Sequence, residues 1–207
     1  MLCGILALVA FSGCQSLTAL FVLIKGRDVP AEYKELVNKK VAVVVASDTG
    51  SYRDATAVVL ATQVHDLLAK HVKKIQMANQ EEVQQVLSDQ PAGPKKMGRI
   101  ARDLGVEAIV AIEVKHLKLK EGSTLYRGES DCSVAVYQAD KGEVPVFSKT
   151  LPQFVYPATG VPVTDMDEPK FRGLYLQCLA IRVARIFHPY DPYTDFGMDA
   201  AIISASK

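Results

Sequence analysis

The sequence predicts an α/β fold: a single three-layer domain with a mixed, largely parallel five-stranded sheet, in the element order βαβααβββα, flanked by helices. Residues 40–46 form an apolar run without the polar alternation of half-exposed strands, which is typical of a strand covered on both faces, and residues 106–115 are predicted to form a second central strand. Amphipathic helical segments separate them, as parallel strands require. A hairpin signal follows, so the later strands are expected to be antiparallel.

The first half of the domain supplies the parallel part of the sheet. Residues 40–46 form the first strand, and the turn at residues 47–51 ends it. A helix over residues 54–72 follows, because its apolar side chains recur at three- and four-residue intervals. Residues 74–78 form a short strand. Asn79 then caps a helix whose apolar face contains Val83, Val86 and Leu87.

The second half of the domain begins with a short helix over residues 96–104, which Gly105 ends. Strands follow at residues 106–115, 124–138 and 143–155, and Gly142 supplies the positive φ of the hairpin turn between the last two. A proline-rich loop over residues 157–169 leads to a final helix over residues 170–187.

The amino-terminal residues have the pattern of a bacterial lipoprotein signal peptide. Residues 1–13 are apolar and uncharged, and they end in the small pair Ser12 and Gly13, directly before Cys14. We expect cleavage before Cys14 and lipidation of that cysteine. The predicted organisation is then a signal peptide (1–13), a lipid-anchored tether (14–38), the α/β domain (39–190) and a carboxyl-terminal tail (191–207).

The same residues allow a second interpretation. No charged side chain precedes Lys25, and residues 1–24 as one helix would span about 36 Å, which is enough to cross a bilayer. Lys25 and Arg27 would then favour a cytoplasmic domain on a single-pass inner-membrane anchor. The lipoprotein interpretation instead places the domain in the cell envelope, at the periplasmic face of the outer membrane.

Composition excludes some classes of function. The net charge is +1, with 24 basic and 23 acidic residues, which argues against a nucleic-acid-binding protein that relies on a basic field. Cys132 and Cys178 lack a CxxC spacing or a nearby histidine, so no metal site is predicted. These two thiols could pair in an oxidising compartment or remain separate and buried. The four histidines are not expected to cluster.

The turn after the first strand is the candidate ligand-binding site. Its motif, Asp48 to Ser51, matches that of aspartic proteases, but those enzymes need a second copy, and the sequence has none. Open α/β sheets bind ligands at the carboxyl ends of their parallel strands. If a ligand site exists, we expect it to use Ser47, Asp48, Ser51, Tyr52 and Arg53. A pocket of several hundred Å³ with converging polar groups would favour this hypothesis.

Aromatic residues near the carboxyl terminus are the candidate partner-binding residues. Tyr190, Tyr193 and Phe196 lie in a segment interrupted by prolines. They either pack back on the domain or form an exposed patch, and tyrosine and phenylalanine are favoured anchors at interfaces.

Two stretches carry a resemblance to a known family. Residues 40–46, which follow a lipobox and a linker, and residues 100–110, at the end of a helix closed by Gly105, resemble the group formed by the curli-secretion lipoprotein CsgG, LpoB and the TolB amino-terminal domain. Residues 25–33 and 184–190 are similar to small planctomycete envelope lipoproteins of unknown function. The resemblance implies a non-catalytic envelope lipoprotein whose domain binds another protein. Separately, the sequence predicts no cofactor and no nucleic-acid partner.

Overall fold

The computed structural model describes residues 28–90 and 95–192. Its strands and helices, numbered in chain order, are β1 (Lys40–Ala46), α1 (Ala55–His71), β2 (Gln76–Met77), α2 (Gln80–Asp89), α3 (Met97–Asp103), β3 (Ala108–Glu121), β4 (Leu125–Gln138), β5 (Phe147–Pro162) and α4 (Glu168–Ala184). This is the predicted order of elements, so the predicted fold class is confirmed.

The five strands form one mixed sheet in the order β2-β1-β3-β4-β5. β1 is parallel to both β2 and β3, with Val43 opposite Val110. β4 is antiparallel to both β3 and β5, and these two ladders are longer than the parallel ones. The carboxyl end of β1 therefore lies beside β3 and close to the antiparallel half of the sheet.

Helices cover both faces of the sheet and give three layers. On one face, Val41, Val43 and Val45 of β1 pack with α1 and α4 in the larger apolar core. On the other face, Ala42 and Val44 pack with α2 and α3 in a smaller core. β1 is therefore buried on both faces, as its unbroken apolar run predicted.

Three helices begin at side-chain caps supplied by the residue before them. Asp54 accepts a hydrogen bond from the Ala57 amide at the start of α1, and Asp167 caps α4 in the same way. Asn79 caps α2 as predicted, and its side-chain oxygen accepts from the Glu81 amide. Such caps satisfy backbone donors that have no partner within the helix.

Helix α3 is capped from outside by the β4–β5 hairpin. Lys96 precedes the helix and offers no side-chain cap. The Glu143 carboxylate instead accepts from the amides of Gly98 at 3.0 Å and Arg99 at 3.1 Å. Gly142, beside it in the turn, has the predicted positive φ of 71°. This contact fixes the hairpin turn against the amino-terminal end of α3.

The last strand is longer than the sequence indicated. β5 runs to Pro162, whereas we expected a proline-rich loop from residue 157. β5 is an edge strand that pairs with β4 alone, so a proline costs it no ladder hydrogen bond on its open side. Register shifts next to Pro152 and Pro157 accommodate two of these prolines.

A buried tyrosine joins α4 to the antiparallel half of the sheet. Tyr175 is fully buried, and its ring lies directly on Gly128 of β4. Its hydroxyl donates to the Phe154 carbonyl at 3.0 Å and lies 2.7 Å from the Ser130 hydroxyl. Burial, as the largest cause, raises the pKa of Tyr175 well above its ordinary value, so it remains neutral.

The described part of the predicted tether packs on the domain. Ala31, Tyr33 and Leu36 are buried in or beside the larger core. The amides of Glu32 and Tyr33 both donate to the Ile186 carbonyl, and Val29 forms an antiparallel bridge with Tyr190. Residues 29–36 are thus held against the segment that follows α4.

Cys132 and Cys178 are both buried, and they do not form a disulfide in the structure. Cys132 lies on β4 and faces α4, which carries Cys178. Burial raises the pKa of Cys132 to about 12, so its thiol stays protonated at neutral pH. Of the two arrangements left open by the sequence, a disulfide or two separate buried thiols, the structure contains the separate thiols.

Candidate functional site

The turn after β1 is held together by its own polar side chains. The Ser47 hydroxyl, which is buried, bonds to the Asp54 carboxylate and lies 3.1 Å from the Thr49 hydroxyl. The Ser47 amide donates to the Ser51 carbonyl at 2.8 Å. Asp54 also caps α1. Ser47 therefore links the end of β1 to the start of that helix.

Asp48 stabilises an irregularity in the neighbouring strand. Its carboxylate accepts a hydrogen bond from the His116 amide at 2.7 Å. His116 has a φ of 53° and lies where the β3–β4 register shifts. The His116 ring in turn lies 2.8 Å from the Asp131 carboxylate. The Asp48 carboxylate thus stabilises the strained backbone of His116, and this structural role explains its contacts without catalysis.

Ser51 and Arg53 are also bound within the domain. The Ser51 hydroxyl accepts from the Arg53 amide at 3.1 Å, and the Arg53 guanidinium donates to the Ser88 hydroxyl of α2. Of the five candidate ligand-binding residues, Tyr52 alone lines the largest cavity described below. Ser47 and Asp48 line a smaller cavity of about 330 Å³ at the start of α1, in addition to their contacts within the domain.

Tyr52 forms one wall of a groove on the sheet face that α2 and α3 leave uncovered. The groove has a volume of about 690 Å³. Its floor consists of small side chains of β3 and β4, and its rim includes the hairpin residues Pro145 and Ser148; the floor residues are Ala111, Ser133 and Ala135. Met97 and Lys95 close the side nearest α3, and the Lys95 ammonium lies 6.0 Å from the centre of the Tyr52 ring.

The environment of Tyr52 favours a neutral hydrogen-bonding hydroxyl. Burial, followed by the charge of Glu113 and the proximity of Tyr137, raises the pKa of Tyr52 above its ordinary value. Tyr137 and Glu113 line the same groove. The groove thus combines two phenol rings and a few polar groups over an apolar floor, which is the usual make-up of a site for a small organic molecule.

The candidate partner-binding residues are only partly described. Tyr190 is half-buried, bridges to Val29 through its backbone, and has the Arg185 guanidinium 4.5 Å from its ring centre. Tyr193, Phe196 and the predicted lipidation residue Cys14 lie outside the described residues.

Two of the four histidines lie in contact, although the sequence analysis did not expect the histidines to cluster. The rings of His71, at the end of α1, and His188, after α4, are stacked with centres 4.5 Å apart. Burial, with smaller effects of His188 and Lys70, lowers the pKa of His71. Across residues 28–90 and 95–192, no three His, Cys, Asp or Glu side chains are placed to hold a metal ion.

Within residues 28–90 and 95–192, none of the helices has the length and apolar character needed to cross a membrane. The residues of the predicted signal peptide and of the alternative single-pass anchor lie outside those ranges.

Comparison with known proteins gives structural neighbours but no family. No protein-family model and no curated protein matches the chain. Among solved structures, the PelC dodecamer from Paraburkholderia phytofirmans is 10% identical and covers 78% of this chain and 96% of its own, with a TM-score of 0.46. A hypothetical protein from Chlamydia trachomatis is 16% identical and covers 71% and 94%, with a TM-score of 0.44.

Bacterial lipoproteins are among these neighbours. A lipoprotein from Neisseria meningitidis is 9% identical and covers 70% of this chain and 97% of its own, with a TM-score of 0.42. With identities this low and TM-scores below 0.5, the likenesses carry no argument about function. The narrower resemblance to the CsgG, LpoB and TolB group stays a prediction.

Proposed function

We propose that this chain is an envelope lipoprotein, anchored through lipid on Cys14, whose α/β domain is a non-catalytic protein-interaction module. The proposal that the domain is non-catalytic is supported by the contacts of the carboxylates in the turn after β1. There the only carboxylates, Asp48 and Asp54, are bound to the His116 amide and to the start of α1. Neither is paired with a second carboxylate or a histidine ring in the manner of a catalytic acid or base.

The lipid anchor is supported by the sequence before Cys14, in which an apolar segment ends in two small residues. In this proposal the domain is held at the periplasmic face of the outer membrane and binds another envelope protein there. A single acyl chain binds membranes weakly, so stable anchoring needs the two chains of a diacylglycerol or more.

The anchor is tested by intact-mass analysis of protein from the membrane fraction, comparing wild type with Cys14→Ser. We expect a wild-type species that begins at residue 14 and carries the mass of a diacylglycerol, and we expect the substitution to abolish it. Retention of Met1 in the membrane-bound protein would contradict lipidation and support the uncleaved single-pass helix. Crosslinking in intact cells would then identify the protein partner.

The groove beside Tyr52 supports a second candidate function, the binding of a small organic molecule. Its volume of about 690 Å³ lies within the range of ligand pockets, and hydroxyls of Tyr52, Tyr137 and Ser133 line it. The ligand that fits this lining has a flat apolar part, to lie on the phenol rings, and a hydrogen-bonding group.

Native mass spectrometry of protein isolated from its own cells tests this candidate. We expect a bound small molecule on the wild-type protein and its loss from Ala135→Phe, which fills the groove floor. Ser148→Ala, at the rim, is the matched control and should keep the molecule. If the wild type and Ala135→Phe retain a bound molecule of the same mass, the groove is not its binding site.

A further inference from the structure

One end of the domain carries an exposed cluster of lysines. Residues 34–40 and 70–74 contain six lysines and a single carboxylate, that of Glu35. The two stretches lie side by side, because the Asn38 amide donates to the Lys73 carbonyl at 3.5 Å. We call this surface the lysine patch, and its residues are Lys34, Lys39, Lys40, Lys70, Lys73 and Lys74.

The positive charge of the lysine patch is not neutralised within the described part of the domain. Four of the six lysines are exposed and two are half-buried, and none of their ammonium groups pairs with a carboxylate among the described residues. Two carboxylates beside the patch have other partners. Glu35 accepts from the side-chain amide of Gln138, and Glu107 accepts from the backbone amide of Lys40. The ammonium groups therefore face solvent, where a negatively charged surface can reach them.

The chain enters the domain at the same end. Val29 forms an antiparallel bridge with Tyr190. Two residues before that tyrosine, the His188 ring stacks on His71 with the ring centres 4.5 Å apart, and His71 directly follows Lys70 of the lysine patch. The first described residues are therefore held close to the lysines and away from the carboxyl end of β1.

The predicted tether is short enough to bring the lysine patch to a membrane. Residues 14–28 reach at most about 50 Å when fully extended. A lipid on Cys14 holds the patch within that distance of the headgroups, where even a weak contact gains from the high local concentration. Val37, an apolar side chain that is 41% exposed, lies in the chain between the lysines and can enter the headgroup layer.

We propose that the lysine patch lies on the membrane surface, binds the phosphates of anionic phospholipids and thereby orients the anchored domain. This inference rests on the proposed membrane anchor and adds the face of the domain that meets the bilayer. Each lysine near an anionic surface adds to the attraction, and a basic patch is a known second signal that stabilises a lipid anchor. Lysine suits a fluid surface, since its flexible stem and compact charge need no fixed partner geometry. The turn after β1 then points away from the bilayer, because it lies at the opposite end of that strand.

Amine-acylation footprinting of the full chain tests this proposal, because mass spectrometry reads each lysine separately. The protein is reconstituted in vesicles of phosphatidylcholine alone or of equal parts phosphatidylcholine and phosphatidylglycerol. We expect Lys34, Lys73 and Lys74 to react at least about fivefold more slowly on the anionic vesicles, since several lysines act together there. Lys118 of β3, which lies roughly 30 Å from the start of β1, is the internal control and should react at the same rate on both. Salt at about 1 M should remove the difference, because it shortens the screening length to about 3 Å.

A pair of charge-matched variants separates the lysine patch from a general effect of charge. Lys73→Gln combined with Lys74→Gln should restore most of the acylation rate of Lys34 on the anionic vesicles. Lys115→Gln combined with Lys118→Gln removes the same charge from β3 and should leave the slow reaction of Lys34 unchanged. Circular dichroism establishes that the first variant is folded; if it is not, the wild-type comparison across the two vesicles and the two salt concentrations decides alone.

Three results would overturn the proposal: equal acylation of the patch on both vesicles, equal slowing at Lys118, or stronger slowing by soluble polyglutamate than by the vesicles. The last would assign the lysine patch to an acidic protein. The footprint and the intact mass also separate the two levels of the argument. A lipidated protein whose patch reacts equally on both vesicles refutes the patch alone. A protein that keeps Met1 but shows the slowing refutes the lipid anchor alone, since an uncleaved helix would hold the chain at the same surface.

Discussion

Gly128→Ala is expected to destabilise the domain by about 3 kcal/mol, at the upper end of the cost of overpacking a core. A Cβ at this position would overlap Cδ2 and Cε2 of Tyr175 and lie 2.7 Å from Cγ. The Tyr175 ring cannot move away freely, because it is fully buried and its hydroxyl is bonded to Phe154 and Ser130. Urea denaturation followed by circular dichroism measures the loss.

Gly173→Ala is the matched control for this substitution. Gly173 lies on α4, two residues before Tyr175, and no atom lies within 4 Å of a Cβ built there. Alanine is the better helix former, so this variant should gain about 0.5–1 kcal/mol. A Gly128→Ala protein with the wild-type urea midpoint would show that α4 does not rest on β4 as described.

Gly98→Ala is expected to destabilise the domain by about 2–3 kcal/mol, although helix propensity alone predicts a gain of about 1 kcal/mol. The added Cβ would overlap the carbonyl oxygen of Gly142 and lie 2.7 Å from its carbon. These are backbone atoms of a tight turn, and displacing them would separate Glu143 from the amides of Gly98 and Arg99. The sign of the change in unfolding free energy thus decides whether the hairpin caps α3.

Hydrogen exchange provides a second measurement of the same contact. Glu143→Ala should accelerate exchange of the Gly98 and Arg99 amides, while Glu107→Ala, whose carboxylate accepts from the Lys40 amide, should leave those two amides unchanged. A rise in stability for Gly98→Ala, together with unchanged exchange in Glu143→Ala, would contradict the packing of the hairpin on α3.

Much of the fold was predictable because its signals are local. The unbroken apolar run of residues 40–46 predicted a strand buried on both faces, and Val41 to Val45 are all buried. The extension of β5 to Pro162 was missed since proline is read as a strand breaker. That rule holds for central strands and is relaxed at an edge, and a single sequence does not state which strand is the edge.

The site was less predictable than the fold, for a physical reason. The position of the turn at the carboxyl end of β1 follows from α/β topology, and Tyr52 does line a groove there. The role of Asp48 could not be foreseen, because its partner is a backbone amide at a positive φ in another strand. The contact of Arg182 with the Phe154 ring was missed in the same way, because neither residue belongs to a motif and the two meet only through the packing of α4 against β5.

The order of the strands in the sheet also has a consequence for synthesis of the chain. β3, β4 and β5 are consecutive in the chain and pair with their neighbours in sequence. β1 instead pairs with β3, which comes much later: the Lys40 amide donates to the side chain of Glu107, 67 residues further along the chain. During translation, the apolar β1 would therefore emerge well before its main partner strand exists. Such exposed apolar segments are prone to aggregate until the late partner arrives. A chaperone that binds residues 41–45 at that stage would reduce aggregation of the chain.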